Sequence, residues 1–367
     1  MAFAFFYEIL VCLTRSIRHC FINFITLVLV ECRKSNNLFI TQWLGNTVFK
    51  QFKNKVMVAP TAMAGLALGI ASMGWTWENV FNLNNYGQYL GALLAGVLVL
   101  LLAAKFLLHP DLLKADLAHP VAGSVIPTFA MANLVISKSV GQFDPLAGDI
   151  MWVLAFVLHF TFLLSFLYQR AKKFNFEDMA PSWFVPPVGI IIADITFSGN
   201  PTLAWLAYSA LVIGISAYST ILPIMFYRFL LALKSDYEIQ PTLAILAAPA
   251  SLTLAGYFHI AANPSLTIVG VLFTLAIIKT LIVYVLFIKL LRRPFTPSYA
   301  AFTFPMVIGA TALFKMTDWM QSIDLLIPYI DVVNYLATFE LIVATAVVVY
   351  ISGRYFCHFK ISKQQVT

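Results

Sequence analysis

The chain has 367 residues, 61% of them hydrophobic and only 11% charged, with a net charge of +7. Soluble domains carry roughly 25% charged residues, and the apolar excess here would have to face water, which excludes a water-soluble fold. The basic residues sit in short clusters between apolar runs and form no basic face. That sets nucleic acid aside as a partner and leaves membrane orientation as their reading.

Residues 1–55 stand apart as an N-terminal extension. Two short apolar stretches, residues 2–13 and 21–30, are separated by Arg15, Arg18 and His19 and followed by Arg33 and Lys34. Neither reaches the roughly 18 residues that cross about 30 Å of hydrocarbon. No small-residue cleavage site follows a basic start, so a signal peptide is not expected. Two readings stand side by side: an interfacial helix and an upstream-extended start codon. Cys12, Cys20, Cys32 and Cys357 are too scattered for a disulfide framework or a zinc site and read as ordinary thiols. No metal and no cofactor is expected.

From Val56 to Phe356 hydropathy places ten spans, near 56–77, 86–108, 120–138, 147–169, 181–199, 202–228, 241–262, 265–290, 297–316 and 330–354. Residues 357–367 are a tail. With the N-terminus in the cytoplasm, 20 of the 23 Lys and Arg fall on one side, Lys138 and Lys315 on the other, and Lys279 inside a span. The positive-inside rule then puts both termini in the cytoplasm of a multi-pass protein. A plasma membrane is expected, in bacteria the inner one.

The odd-numbered spans share a device. Each carries an internal proline followed by small residues: Pro60, Pro127, Pro186 and Pro187, Pro249, and Pro305. The spacings from Pro60 through Pro127, Pro187 and Pro249 to Pro305 are 67, 60, 62 and 56 residues, about one helical hairpin each. Pro120, Pro181, Pro241 and Pro297 stand five to eight residues earlier, where the first helical turn has no use for an N–H. The second proline removes a backbone hydrogen bond and kinks the helix. In hydrocarbon the freed carbonyl must face protein or a water-filled cavity. Five kinks at one depth predict an all-α polytopic membrane protein with the five odd helices gathered around a common axis and the Leu/Val/Ile-rich even helices outside against lipid.

The segments "VAPTAMAGLALGIA", "HPVAGSVIPTF", "APSWFVPPVG", "LAAPASLTLAGY" and "YAAFTFPM" resemble the tellurite-resistance/C4-dicarboxylate transporter family, which includes the plant guard-cell slow anion channels. The resemblance covers roughly Lys55 to Phe356. It implies a homotrimer of ten-helix protomers, each made of five helical hairpins in a ring around a narrow central pore that the inner odd helices enclose and a phenylalanine of the ninth helix plugs. Phe304 matches that phenylalanine, Gly65 matches a pore-facing glycine of the first helix, and Leu252 falls near a seventh-helix pore position. Pro127, Pro187, Pro249 and Pro305 would line the same path.

Charged residues add two expectations. Lys138, His259 and Lys315 each follow a kink proline by 10 or 11 residues, three helical turns or about 15 Å further along the same face. They would form a cationic group at the outer mouth that concentrates anions, with Asp194 on the same wall partly offsetting it. The competing reading is lysines that snorkel to headgroups. Lys279 and Glu340 are the deepest charges, at similar depth in the eighth and tenth spans, and read as an ion pair. His159 has no facing histidine and so does not read as a haem ligand.

None of the usual catalytic motifs is present, neither HExxH nor a phosphate-binding glycine loop nor GxSxG, and no enzyme is expected. The leading reading is a pore for small inorganic or organic anions in the lipid bilayer, gated by Phe304. The alternative is a proton-coupled carrier for C4-dicarboxylates or oxyanions such as tellurite or sulfite.

Overall fold

The computed structural model describes residues 49–231, 240–261, 263–290 and 294–364. The chain divides into two compact units, Met1–Val58 and Ala59–Thr367. In the first, residues 49–57 are helical, and the two apolar stretches of the extension lie outside the described residues.

The second unit is helical, with no strand among the described residues. Its principal helices are α1 (Met63–Phe81), α2 (Tyr86–Leu108), α3 (Pro127–Val140), α4 (Pro145–Lys172), α5 (Ile191–Ile195), α6 (Ala204–Leu231), α7 (Ala248–Ile260), α8 (Leu266–Leu290), α9 (Thr303–Met320) and α10 (Ile330–Gln364). Among the described residues, eight of the ten expected spans are long and apolar enough to cross a bilayer. The other two fall short for different reasons. α1 carries Glu78 and Asn79 in its last turns, and Glu78 accepts hydrogen bonds from the backbone N–H of Asn85 and Gly87 at 2.8 and 3.1 Å, fastening the loop into α2. The fifth segment is divided into a 3-10 turn (Pro181–Phe184), one helical turn (Val185–Val188) and α5, no piece of which spans alone.

The paired prolines explain how these segments are built. Pro120, Pro181 and Pro297 each open a short lead, Pro120–Val125, Pro181–Phe184 and Pro297–Phe302, and Pro241 is the second residue of another, Gln240–Ala247. The next proline then stands in the first turn of a new α-helix: Pro127 is the first residue of α3, Pro249 the second of α7 and Pro305 the third of α9. The second proline therefore starts a new α-helix after a break, following a 3-10 lead at Pro249 and Pro305 and a separate short α-helix at Pro127, where the sequence pattern alone places it inside one continuous helix. The reason is the one that applies to the first proline: its missing N–H goes unused in a first turn.

Burial separates two classes. The windows within Pro120–Val140, Pro241–Ile260 and Pro297–Met320 are 67–83% buried, whereas those of α2, α4, α6, α8 and α10 are 28–39% buried. Packing follows the same division. α1 packs against α3 and α9, α3 against α5, α5 against α7, and α7 against α9. Each of α2, α4, α6, α8 and α10 packs on the odd helix before it. All five also touch a second odd neighbour: α2 touches α3, α4 touches the fifth segment, α6 touches α7, α8 touches α9 and α10 touches α1.

Candidate functional site

Phe304 is buried in the first turn of α9, directly before Pro305. Gly69 of α1 allows the close approach there, because a Cβ on it would fall 2.4 Å from Thr303 Oγ1 and 3.2 Å from the Phe304 nitrogen. Gly65, one turn earlier, faces Ala300 of the lead into α9, and its carbonyl accepts a hydrogen bond from the Thr303 hydroxyl at 3.1 Å. Leu252, Pro127, Pro187, Pro249 and Pro305 are all buried.

Carbonyls left over at the interrupted helices are satisfied by side chains, as a low-dielectric surrounding requires. Thr303 donates to Ala300 O at 2.8 Å, Thr128 to Val125 O at 2.7 Å and Ser251 to Ala247 O at 3.2 Å. The fifth segment, the most broken, is held from outside itself. His159 of α4 donates from Nε2 to Pro186 O at 2.8 Å, Trp152 of α4 to Ala193 O at 3.0 Å, and Lys138 of α3 to Phe197 O at 2.9 Å. His159 is fully buried, and its contact with Pro186 O gives it a structural task that the sequence did not disclose. Its signal was there to read: one histidine in an apolar helix at the level of a Pro-Pro pair.

His259 of α7 and Lys315 of α9 stand near Asp194 of α5, and Lys138 of α3 stands near Lys315. His259 Nδ1 lies 3.0 Å from Asp194 Oδ1. The Lys315 charge acts on both Asp194 and Lys138. Asp194 is fully buried, its Oδ2 has no hydrogen-bond partner, and it rests where a Cβ on Gly256 would lie 2.8 Å away. The group is thus mixed in charge: Asp194 is flanked by His259 and Lys315, and Lys138, bonded to Phe197 O, extends it.

The expected Lys279–Glu340 ion pair is not formed. Lys279 donates to Tyr218 Oη of α6 at 2.7 Å and lies 4.7 Å from the Tyr218 ring centroid. Glu340 instead bonds the Thr280 side chain and rests on Gly309 of α9. Adjacent helical residues differ by about 100° in direction, so Thr280 faces α10 while Lys279 faces α6. Similar depth in two spans does not fix which helix face each residue presents.

A second set of basic residues does more than orient the chain. Lys105 at the end of α2 meets Thr61 Oγ1 at 3.0 Å and Asp116 at 3.6 Å, and Thr61 donates to Asp116. Arg170 at the end of α4 donates to Ala118 O, and Arg228 at the end of α6 donates to Phe176 O and Glu177 O at 3.1 and 2.9 Å. Both arginines reach back 52 residues, clasping the linker that leads into the preceding odd segment.

Comparison with known proteins agrees with this architecture. The model of a family described as voltage-dependent anion channel matches residues 52–355. An uncharacterized transporter of Methanocaldococcus jannaschii is 26% identical over 64% of this chain and 77% of its own length. A second from the same archaeon is 24% identical over 59% and 70%. A tellurite resistance protein TehA homolog of Haemophilus influenzae is 23% identical over 73% and 85%.

Proposed function

The chain belongs to the voltage-dependent anion channel family, a multi-pass family of anion transport proteins, and from that premise we propose that it is a pore for small anions gated by Phe304. The observation that carries this reading is the order of packing: contacts run from α1 through α3, α5 and α7 to α9 and return to α1. That order supports five hairpins in a ring, with proline-interrupted segments inside and apolar helices toward lipid. Phe304, buried at the start of α9, would close the axis sterically and by dewetting. Gly65, Leu252 and the prolines Pro127, Pro187, Pro249 and Pro305 would line the path. Lys138, His259 and Lys315 would form the outer mouth, where two lysines outweigh Asp194 and raise the local anion concentration. Both termini would be cytoplasmic in a plasma membrane, in bacteria the inner one, and three copies would assemble.

A second reading is a proton-coupled carrier of C4-dicarboxylates or of oxyanions such as tellurite or sulfite. What favours it is Glu340, which sits on an even helix yet is turned inward onto α9. Purified protein in liposomes separates the two. A pore passes chloride, nitrate and small organic anions with no proton gradient and without saturation. Flux that requires the gradient and saturates would overturn the pore in favour of the carrier.

A further inference from the structure

Glu340 lies in the middle of a long apolar helix with no cation to answer it. Its side chain is 4% exposed, and no ion pair among the described residues includes it. From α8 the Thr280 hydroxyl bonds to it and the Tyr284 phenol faces it. Glu340 Oε1 and the Tyr284 hydroxyl both lack hydrogen-bond partners. From α9 it meets bare backbone: a Cβ on Gly309 would lie 2.0 Å from Oε1 and 2.8 Å from Cδ.

The remaining charges on the neighbouring helices are engaged or distant. Lys279 of α8 is bonded to Tyr218. On α9, Lys315 and Asp318 follow Gly309 by six and nine residues, more than one and a half turns away. α1 contributes only the Trp77–Thr345 hydrogen bond, its Glu78 being occupied by two backbone N–H groups. On α10 itself, Asp331 and Arg354 are nine and fourteen residues off.

An ionised carboxylate stripped of water, with one hydroxyl and no cation, is far costlier than the neutral acid, and a group so placed takes up a proton. We infer that Glu340 is a proton-binding site seated on the backbone of α9, and that proton release drives its carboxylate off Gly309 and shifts the helix whose first turn holds Phe304. The only bond made or broken is the carboxyl O–H, with water as the source and acceptor of the proton. Gly309 is the complementary half of the site: it stands four residues after Pro305, and any side chain there would fill the seat. Proton binding stands on this geometry alone, whereas its effect on flux rests on the pore reading.

Infrared spectra of the purified protein in lipid test the binding directly. The parent should show a carboxylic acid C=O band at neutral pH that is lost on alkalinisation and is missing from Glu340→Gln, a neutral side chain of the same size. A parent spectrum at neutral pH without a band that this variant removes would overturn the site. Should Glu340→Gln fail to fold, Gly309→Ala keeps the acid and crowds it, so the band should shift in frequency; an unshifted band would overturn the seat on α9. Liposome flux tests the coupling. Flux through the parent should change between neutral and alkaline pH, and flux through Glu340→Gln should not. A shared pH profile would overturn the coupling, and the infrared result stands whether or not the protein conducts.

Discussion

α9 and α10 are successive helices of one hairpin, yet they meet opposite demands. The window that includes α9 is 83% buried and places Thr303, Gly309 and Thr311 at contacts with neighbouring helices, whereas that of α10 is 39% buried and presents Val332, Tyr335, Phe339 and Ile342 to its surroundings. The same contrast separates the other odd segments from the other even helices. Odd segments carry interrupted backbone, small residues and hydroxyls that satisfy stray carbonyls. Even helices carry bulky apolar faces on a backbone interrupted in α6 by Pro223, with polar contacts at their ends and a few single ones in mid-helix, at His159, Lys279 and Glu340. The lesson is that proline interruptions come here with side-chain donors at the breaks, to Val125 O, Ala247 O, Ala300 O and Pro186 O.

The largest effect that would sharpen this contrast lies at an even-helix end. Arg228→Gln removes charged donors from Phe176 O and Glu177 O, and should cost about 3 kcal/mol, the upper end for hydrogen bonds to charged groups. Lys172→Gln, exposed at the end of α4, should cost less than about 1 kcal/mol. Thermal unfolding in detergent compares them, and equal shifts would mean that Arg228 is only an orientation signal.

A smaller effect separates two glycines. Gly69→Ala on α1 would press a methyl to within 2.4 Å of Thr303 Oγ1 and should destabilise by about 2 kcal/mol. Gly96→Ala on α2 meets nothing within 4 Å and should stabilise by roughly 0.5–1 kcal/mol. The same unfolding assay reads both, and a stabilising Gly69→Ala would break the division between the two classes.

The smallest effect concerns the charge cluster. Replacing Lys138 and Lys315 together by Gln should lower anion flux from the outside by roughly tenfold at low salt, the lower end of electrostatic focusing. The loss should fade as the Debye length falls below about 10 Å near 0.1 M salt. Flux matching the parent at both salt concentrations would leave the lysines as helix anchors.

Much of this organisation was legible because composition and proline spacing are global signals. The apolar runs located eight helices of spanning character, and the paired prolines located the places where helices break and restart. What stayed hidden depended on rotation about a helix axis. Lys279 and Thr280 are neighbours in sequence but face different helices, so depth alone paired the wrong residues. The sequence leaves His159 without a facing histidine and Arg228 as one more orienting basic residue, because their partners are backbone carbonyls. Asp194 was placed on the right wall by spacing from Pro187, but its contact with His259 required the course of the broken fifth segment.

The central claim is that the buried ring of Phe304 closes a path between the odd helices, and unitary currents from purified protein in a planar bilayer test it most directly. Phe304→Ala should stay folded and raise anion conductance on the order of tenfold or more, the factor that goes with ~1.4 kcal/mol off a barrier. A Phe304→Ala protein that unfolds, or one that folds and conducts no more than the parent, would contradict the claim and make Phe304 a packing residue.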